Sequence, residues 1–191
     1  NLNKRNPLYT TTYGVGELIL KALDYNPERI ILGLGGSATN DLGIGALQAL
    51  GMKFLSKNNL EVGKFGKDIF KIEKVDFTKI DKRLLKLELL LATDVTNPLL
   101  GANGATYIFG PQKGLEEEKL KKFDDQFKKL STLLNNEFKS DFTEVKGSGA
   151  AGGLAYLMAT VFKGKIIPGF DVVFEELNLQ ERLKKTDILI T

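Results

Sequence analysis

The chain has 191 residues, 42% of them hydrophobic and 27% charged, which suits one large globular domain or two small ones with a substantial core. A net charge of +3, spread through mixed-sign segments, argues against nucleic acid as a partner, and no apolar run approaches the roughly 20 residues of a membrane span. Cysteine and histidine are both absent: disulfides and thiolate metal sites are excluded, a reducing cytoplasmic location fits, and general-base work falls to Asp, Glu or Lys.

Residues 1–9, with Pro7, read as an extended lead-in. Thr10-Thr11-Thr12 then precedes a predicted helix whose apolar face is Val15, Leu18, Ile19, Ala22 and Leu23, ended before Pro27. Ile30, Ile31 and Leu32 form a short apolar run stopped by glycine, the pattern of a buried strand. Gly33, Gly35 and Gly36 free the backbone to turn and let a bound group approach with no Cβ in the way. Ser37, Thr39, Asn40 and Asp41 all favour helix N-caps, and Ile44, Leu47 and Leu50 recur at helical spacing. The stretch therefore predicts strand, glycine loop, polar cap and helix, with an anion seated at the helix start. An ordinary βα turn with a capped helix is the plainer alternative.

Gly33-Leu34-Gly35-Gly36-Ser37-Ala38 also fits the loose dinucleotide fingerprint G-x-G-x-x-A. That fingerprint expects an acidic residue about 20 positions further on, whereas the first acid after Asp41 is Glu61, so a dinucleotide-dependent oxidoreductase is disfavoured. No P-loop pattern occurs. The loop reads as an anion cradle of neither common nucleotide type.

Further along, 53–55 is a short predicted strand, 57–59 a turn, 68–72 a short helix or irregular segment, and 81–85 a helical turn. Residues 87–93 form the second clear strand, leading into Asp94-Val95-Thr96-Asn97-Pro98 at the end where open α/β sheets keep their ligands. A turn closed by an Asx side chain explains the same residues without a ligand. Residues 101–109 read as a short helix, and Gly110-Pro111-Gln112-Lys113-Gly114 as a rigid loop showing one amide and one ammonium. The longest helix spans 115–136, with Leu120, Phe123, Phe127, Leu130 and Leu134 on one stripe. Glu117–Lys121, Glu118–Lys122, Asp124–Lys128 and Asp125–Lys129 are its expected surface pairs. A second glycine-rich loop, 147–153, opens an apolar helix and reads as a packing device more readily than a ligand site. A strand at 165–167, helical segments over 170–183 and a terminal strand at 188–190 complete the prediction. A chain stopping directly after such a strand, and starting without methionine, is expected of a piece of a longer protein.

Gly-Gly-Ser-Ala-Thr-Asn-Asp (35–41) with Gly-Ala-Leu-Gln-Ala-Leu-Gly (45–51), Asp-Val-Thr-Asn-Pro-Leu (94–99), Phe-Gly-Pro-Gln-Lys-Gly (109–114) and Gly-Ser-Gly-Ala-Ala-Gly-Gly (147–153) occur in that order. Together they resemble the bacterial glycerate kinases of the two-domain type, as do Thr10-Thr11-Thr12-Tyr13-Gly14-Val15-Gly16-Glu17 and Ile167-Pro168-Gly169. Leu42 departs from the family, which often has a glycine there. The family's Asp-Ser-Phe-Lys, Gly-Gly-Glu-Gly and Gly-Glu-Gly-Arg type motifs do not occur in this chain.

The resemblance implies a single α/β domain over 1–191, with a mixed or largely parallel sheet and packed helices. It would be the second domain of a two-domain kinase whose Rossmann-like or flavodoxin-like domain is mostly missing. It also implies ATP and Mg2+ as cofactors, D-glycerate as substrate, no membrane or nucleic-acid partner, and compatibility with a homodimer. On this reading Gly35, Gly36, Ser37, Thr39 and Asn40 hold the glycerate carboxylate or a phosphate, with Asn97, Gln112 and Ser148 as polar positioners and Lys113 as charge neutraliser. Asp94 and Asp41 are the candidate catalytic carboxylates, Asp94 doubling as a magnesium ligand. A non-catalytic module that captures a small anion is the rival reading.

Overall fold

The computed structural model describes residues 5–190; residues 1–4 of the expected lead-in, and Thr191, lie outside it. The architecture is mixed α/β, built on a three-stranded parallel sheet of order β1-β4-β5. Glu88-Leu-Leu-Leu-Ala92 forms the central strand β4 because its leucines serve both faces: Leu89 and Leu91 are buried, and Leu90 is half-buried. On one side it pairs with β1 (Arg29–Gly33), Gly33 opposite Ala92; on the other it pairs with β5 (Lys165–Ile167), Ala92 opposite Ile167. The register ends all three strands at one level, so the segments after Gly33, Ala92 and Ile167 leave from the same edge. β2 (Lys53–Leu55) and β3 (Lys74–Asp76) make a separate antiparallel ribbon. Periodicity misses β3 because Val75 is its only apolar residue.

β1 differs from the buried strand expected. It is an edge strand with alternating exposure, Ile30 and Leu32 packing against the core while Ile31 is 41% exposed. The terminal strand expected at 188–190 is not formed either; residues 187–190 are exposed and have no ladder partner to satisfy their backbone groups.

Helix α1 (Tyr13–Leu23) packs on α2 (Ile44–Ala49) through glycine. A Cβ on Gly16 would run into the carbonyl of Ala46 and the methyl of Ala49, so the two backbones are in direct contact. That approach turns the buried face towards Gly16, Ile19 and Leu23, leaving Leu18, expected inside, 73% exposed. Helix α3 spans Ala105–Phe109 and α4 spans Glu117–Phe138. α4 buries the predicted stripe and runs past Asn136 until Lys139 turns left-handed. Its surface ion pairs are Lys121–Asp125, Glu116–Lys119 and Lys129–Glu73, in place of the four expected. Such pairs contribute roughly 0–1 kcal/mol each, too little to dictate which long side chain meets which.

Helix α5 (Leu154–Phe162) is buried at all nine positions and runs through the core between β4 and α4. Its Tyr156 hydroxyl donates to the Asn135 side chain (2.7 Å) or the Ser131 carbonyl (3.2 Å), whereas the buried Thr160 hydroxyl of the same helix has no partner among the described residues. Helices α6 (Gly169–Glu176) and α7 (Leu179–Leu183) follow β5 on the surface. Among the described residues, no helix is long and apolar enough to cross a membrane.

Candidate functional site

The loop leaving β1 is longer than a βα turn, because α2 does not start until Ile44, with Gly43 as its left-handed N-cap. None of Ser37, Thr39 or Asn40 caps it. Asp41 fills the helix start with the chain's own negative charge. It is buried, with one carboxylate oxygen accepting from the Gly43 N–H (3.1 Å) and the other from the Thr12 N–H and hydroxyl (both 2.8 Å). The Thr12 hydroxyl in turn accepts from the Ala46 N–H (2.9 Å), tying the start of α1 to α2. Burial pushes the Asp41 pKa up, while the hydrogen bonds from Thr12 and Gly43 pull against that rise. The expected external anion at this helix start is therefore replaced by Asp41 itself.

The second glycine loop locks the first in place. Gly152, at φ +66, packs so closely on the Thr39 carbonyl that no Cβ fits, and its own carbonyl accepts from the Leu42 N–H (3.0 Å). Gly149 lies equally close to the Pro98 carbonyl and donates to that of Asn97 (3.0 Å). Ala151 shares the left-handed conformation at φ 53, a strained state for a residue with a side chain. Ala150 and Ala151 of this loop line the cavity described next, and the glycines of 147–153 show the close packing read from the sequence. Ser148 belongs to it: fully buried, it donates to the Thr143 carbonyl (3.1 Å) and lies outside the cavity wall.

Between these loops lies a cavity of about 380 Å³. Its walls include Gly35, Gly36, Ser37, Gln112 and Lys113, brought together from two motifs, with Val95 and Phe109 as apolar surface. A Cβ built on Gly35 or Gly36 meets nothing within 4 Å, so the backbone there faces open space. Among the described residues, the N–H groups of Gly35, Gly36 and Ser37 donate to no protein acceptor. Lys113 is only 5% exposed and reaches across to donate to the Thr39 carbonyl (2.7 Å) and the Ser37 hydroxyl (3.0 Å). Burial pulls its pKa down to about 8, against the opposing pull of the Asp41 charge. An ammonium has three donors, and two are spent on the loop.

The remaining candidates stand nearby or behind. Asn40 is buried, its amide nitrogen 3.3 Å from the Thr106 hydroxyl, so it braces the loop from the rear. Asp94 is exposed at the carboxyl end of β4; one of its oxygens accepts from the Gly169 N–H (2.9 Å), capping α6. Its near neighbour Val95 is in the cavity wall. Asn97 donates to the Asn103 carbonyl (2.8 Å) and closes its own turn. Among the described residues, no group of three or more acidic side chains is placed to hold a metal ion. The sequence reading missed Arg5, which lines the cavity and donates to the Gln112 carbonyl (3.0 Å). A lone arginine in an extended lead-in gives no local signal, since its partner is 107 positions away.

Glycine loops, a buried lysine and N–H groups without a protein acceptor are thus gathered beyond the carboxyl edge of an open α/β sheet, where such sheets commonly keep their ligands. The chain belongs to the glycerate kinase family, whose model matches residues 1–191. It is 43% identical over 188 residues to the glycerate kinase of Bacillus cereus, a match covering 98% of this chain and 49% of that one. The glycerate 2-kinase of Escherichia coli K12 is 40% identical over 188 residues, covering 98% and 49% respectively. The crystal structure of a candidate glycerate kinase 2 from Salmonella typhimurium LT2 superposes with a TM-score of 0.92 at 36% identity, covering 98% of this chain and 50% of that chain. The chain spans about half the length of the curated relatives it matches.

Proposed function

We propose that the protein to which this chain belongs transfers the γ-phosphoryl group of ATP to a hydroxyl of D-glycerate. This chain, the central α/β domain of such an enzyme, supplies the part of the site that holds an oxyanion; a Rossmann-like domain of the same protein supplies the rest. The observation that carries this reading is Lys113. One buried ammonium from the 109–114 motif closes on Ser37 and Thr39 of the 35–41 motif, beside N–H groups that face an open cavity.

Phosphoryl transfer asks a protein mainly for positioning and charge neutralisation. The Gly35, Gly36 and Ser37 N–H groups and the free Lys113 donor hold the oxygens of a carboxylate or phosphate, and Gln112 adds an amide at the rim. Asp41 and Asn40 work from behind, fixing the loop that carries those donors. Asp94 keeps one carboxylate oxygen for α6 and presents the other to orient the acceptor hydroxyl and take its proton. A single carboxylate is a sufficient protein ligand for magnesium, which is commonly held by one or two carboxylates plus substrate phosphates. When bound, that ion would neutralise charge on the transferring phosphoryl group.

Glycerate-dependent ADP release, measured for the intact protein and for the isolated 191-residue chain with ATP and Mg2+, tests the reading. Turnover by the intact protein and none by the isolated chain is expected. An intact protein that binds glycerate without releasing ADP would leave only an anion-binding module. Robust turnover by the isolated chain would refute the division of the site between two domains.

A further inference from the structure

We propose that Arg5 is a second cationic arm of the cavity, closing with Lys113 on a substrate oxyanion, either the carboxylate of the phosphoryl acceptor or the terminal phosphate of the nucleotide. The proposal rests on the function argued above and adds a binding residue to that site.

Arg5 is held to the loop that carries Lys113 by two independent contacts. Its guanidinium donates to the Gln112 carbonyl (3.0 Å), and its own carbonyl lies against the Cα of Gly114, where φ is +89 and a Cβ would collide with it. The next residues are pinned as well. The Asn6 side chain accepts from the Leu8 N–H (3.0 Å), starting the 3-10 turn Pro7–Tyr9, and buried Pro7 packs its carbonyl against Gly66. The arginine thus sits on a fixed backbone.

Its charge also lacks an answer. Among the described residues, no carboxylate forms an ion pair with Arg5, whereas Arg29 meets Glu88 and Glu176 and Arg83 meets Asp81 and Asp24. A guanidinium has five donors in a planar fork, and the Gln112 carbonyl occupies one of its nitrogens. Two cations thus line one small cavity with no carboxylate among its described lining residues, while Asp41, whose charge acts on Lys113, is buried behind the loop. An oxyanion gripped between a planar fork and a point charge resolves that imbalance.

Arg5→Gln and Arg5→Lys in the intact protein test this. Calorimetric titration with inorganic phosphate reads binding without turnover, and the KM values for D-glycerate and ATP identify the source of the anion. Losing a charge-assisted contact is expected to weaken phosphate binding about tenfold in Arg5→Gln and to raise one of the two KM values by a similar factor, with Arg5→Lys recovering part of both. The melting temperature should stay within about 2 °C of wild type, as for an exposed side chain. Phosphate affinity and both KM values within twofold of wild type would overturn the proposal. So would Arg5→Lys failing alongside Arg5→Gln with a falling melting temperature, the mark of a strut. Arg5-dependent phosphate binding in a protein that never releases ADP would support this arm and sink the kinase reading.

Discussion

Asp41 and Asp94 show how one residue type takes opposite tasks from its surroundings. Both follow glycine-rich or strand-end signals that read alike in sequence. Asp41 is enclosed and its oxygens are consumed by Thr12 and Gly43, whereas Asp94 stays exposed with one oxygen engaged on α6. Capping and catalysis at Asp94 can be separated, because asparagine caps a helix about as well as aspartate but carries no charge. Asp94→Asn should therefore leave the melting temperature nearly unchanged and lower kcat roughly 10²-fold, with a smaller change in glycerate KM. A near-normal kcat would reduce Asp94 to a cap. The sequence displays the carboxylates; burial decides which can reach a substrate, and burial depends on partners such as Thr12 that lie 29 positions away.

At the scale of elements, long and strongly patterned segments were legible. β4 and α4 follow from their apolar runs and stripes because each buries its side chains largely by its own periodicity. Where the prediction departed from the structure, a close backbone approach or a missing neighbour was responsible. Gly16 rotated the buried face of α1, β1 lay at a sheet edge, and residues 188–190 had no ladder to join. α2 began late because Asp41 folds back over its start instead of capping it in the usual register. Gly16 makes this testable against propensity. Alanine in a helix interior is favoured over glycine by about 1 kcal/mol. In Gly16→Ala, however, the added methyl meets the Ala46 carbonyl, and overpacking of this kind costs typically 1–3 kcal/mol. Denaturant titration should show net destabilisation; a more stable variant would mean that the α1–α2 contact yields easily.

Across the whole molecule, the cavity forms where the loops leaving β1 and β4 at one sheet edge meet the 110–114 loop after α3, Arg5 and the 147–153 loop. The motifs were visible separately. Their meeting was not, since the Lys113 contacts span 74 and 76 positions and carry no periodicity. Lys113 is accordingly where the account is most exposed to test. Burial holds its pKa near 8, below the ordinary 10.5, so between those values the unfolded chain binds the proton more readily than the folded one. Its burial therefore opposes folding at pH 7, and that opposition fades as pH rises from about 8 towards 10.5. Anion binding has the opposite dependence, because it needs the ammonium. The decisive measurement is the KM for D-glycerate and for ATP across about three pH units around that pKa, from about pH 6.5 to about pH 9.5, in the intact protein and in Lys113→Met. The account predicts that one KM is flat below about pH 8 and climbs towards tenfold per unit above it, while Lys113→Met begins roughly 10²-fold higher and loses the inflection. A folded Lys113→Met protein with wild-type KM values and an unchanged pH profile would contradict it.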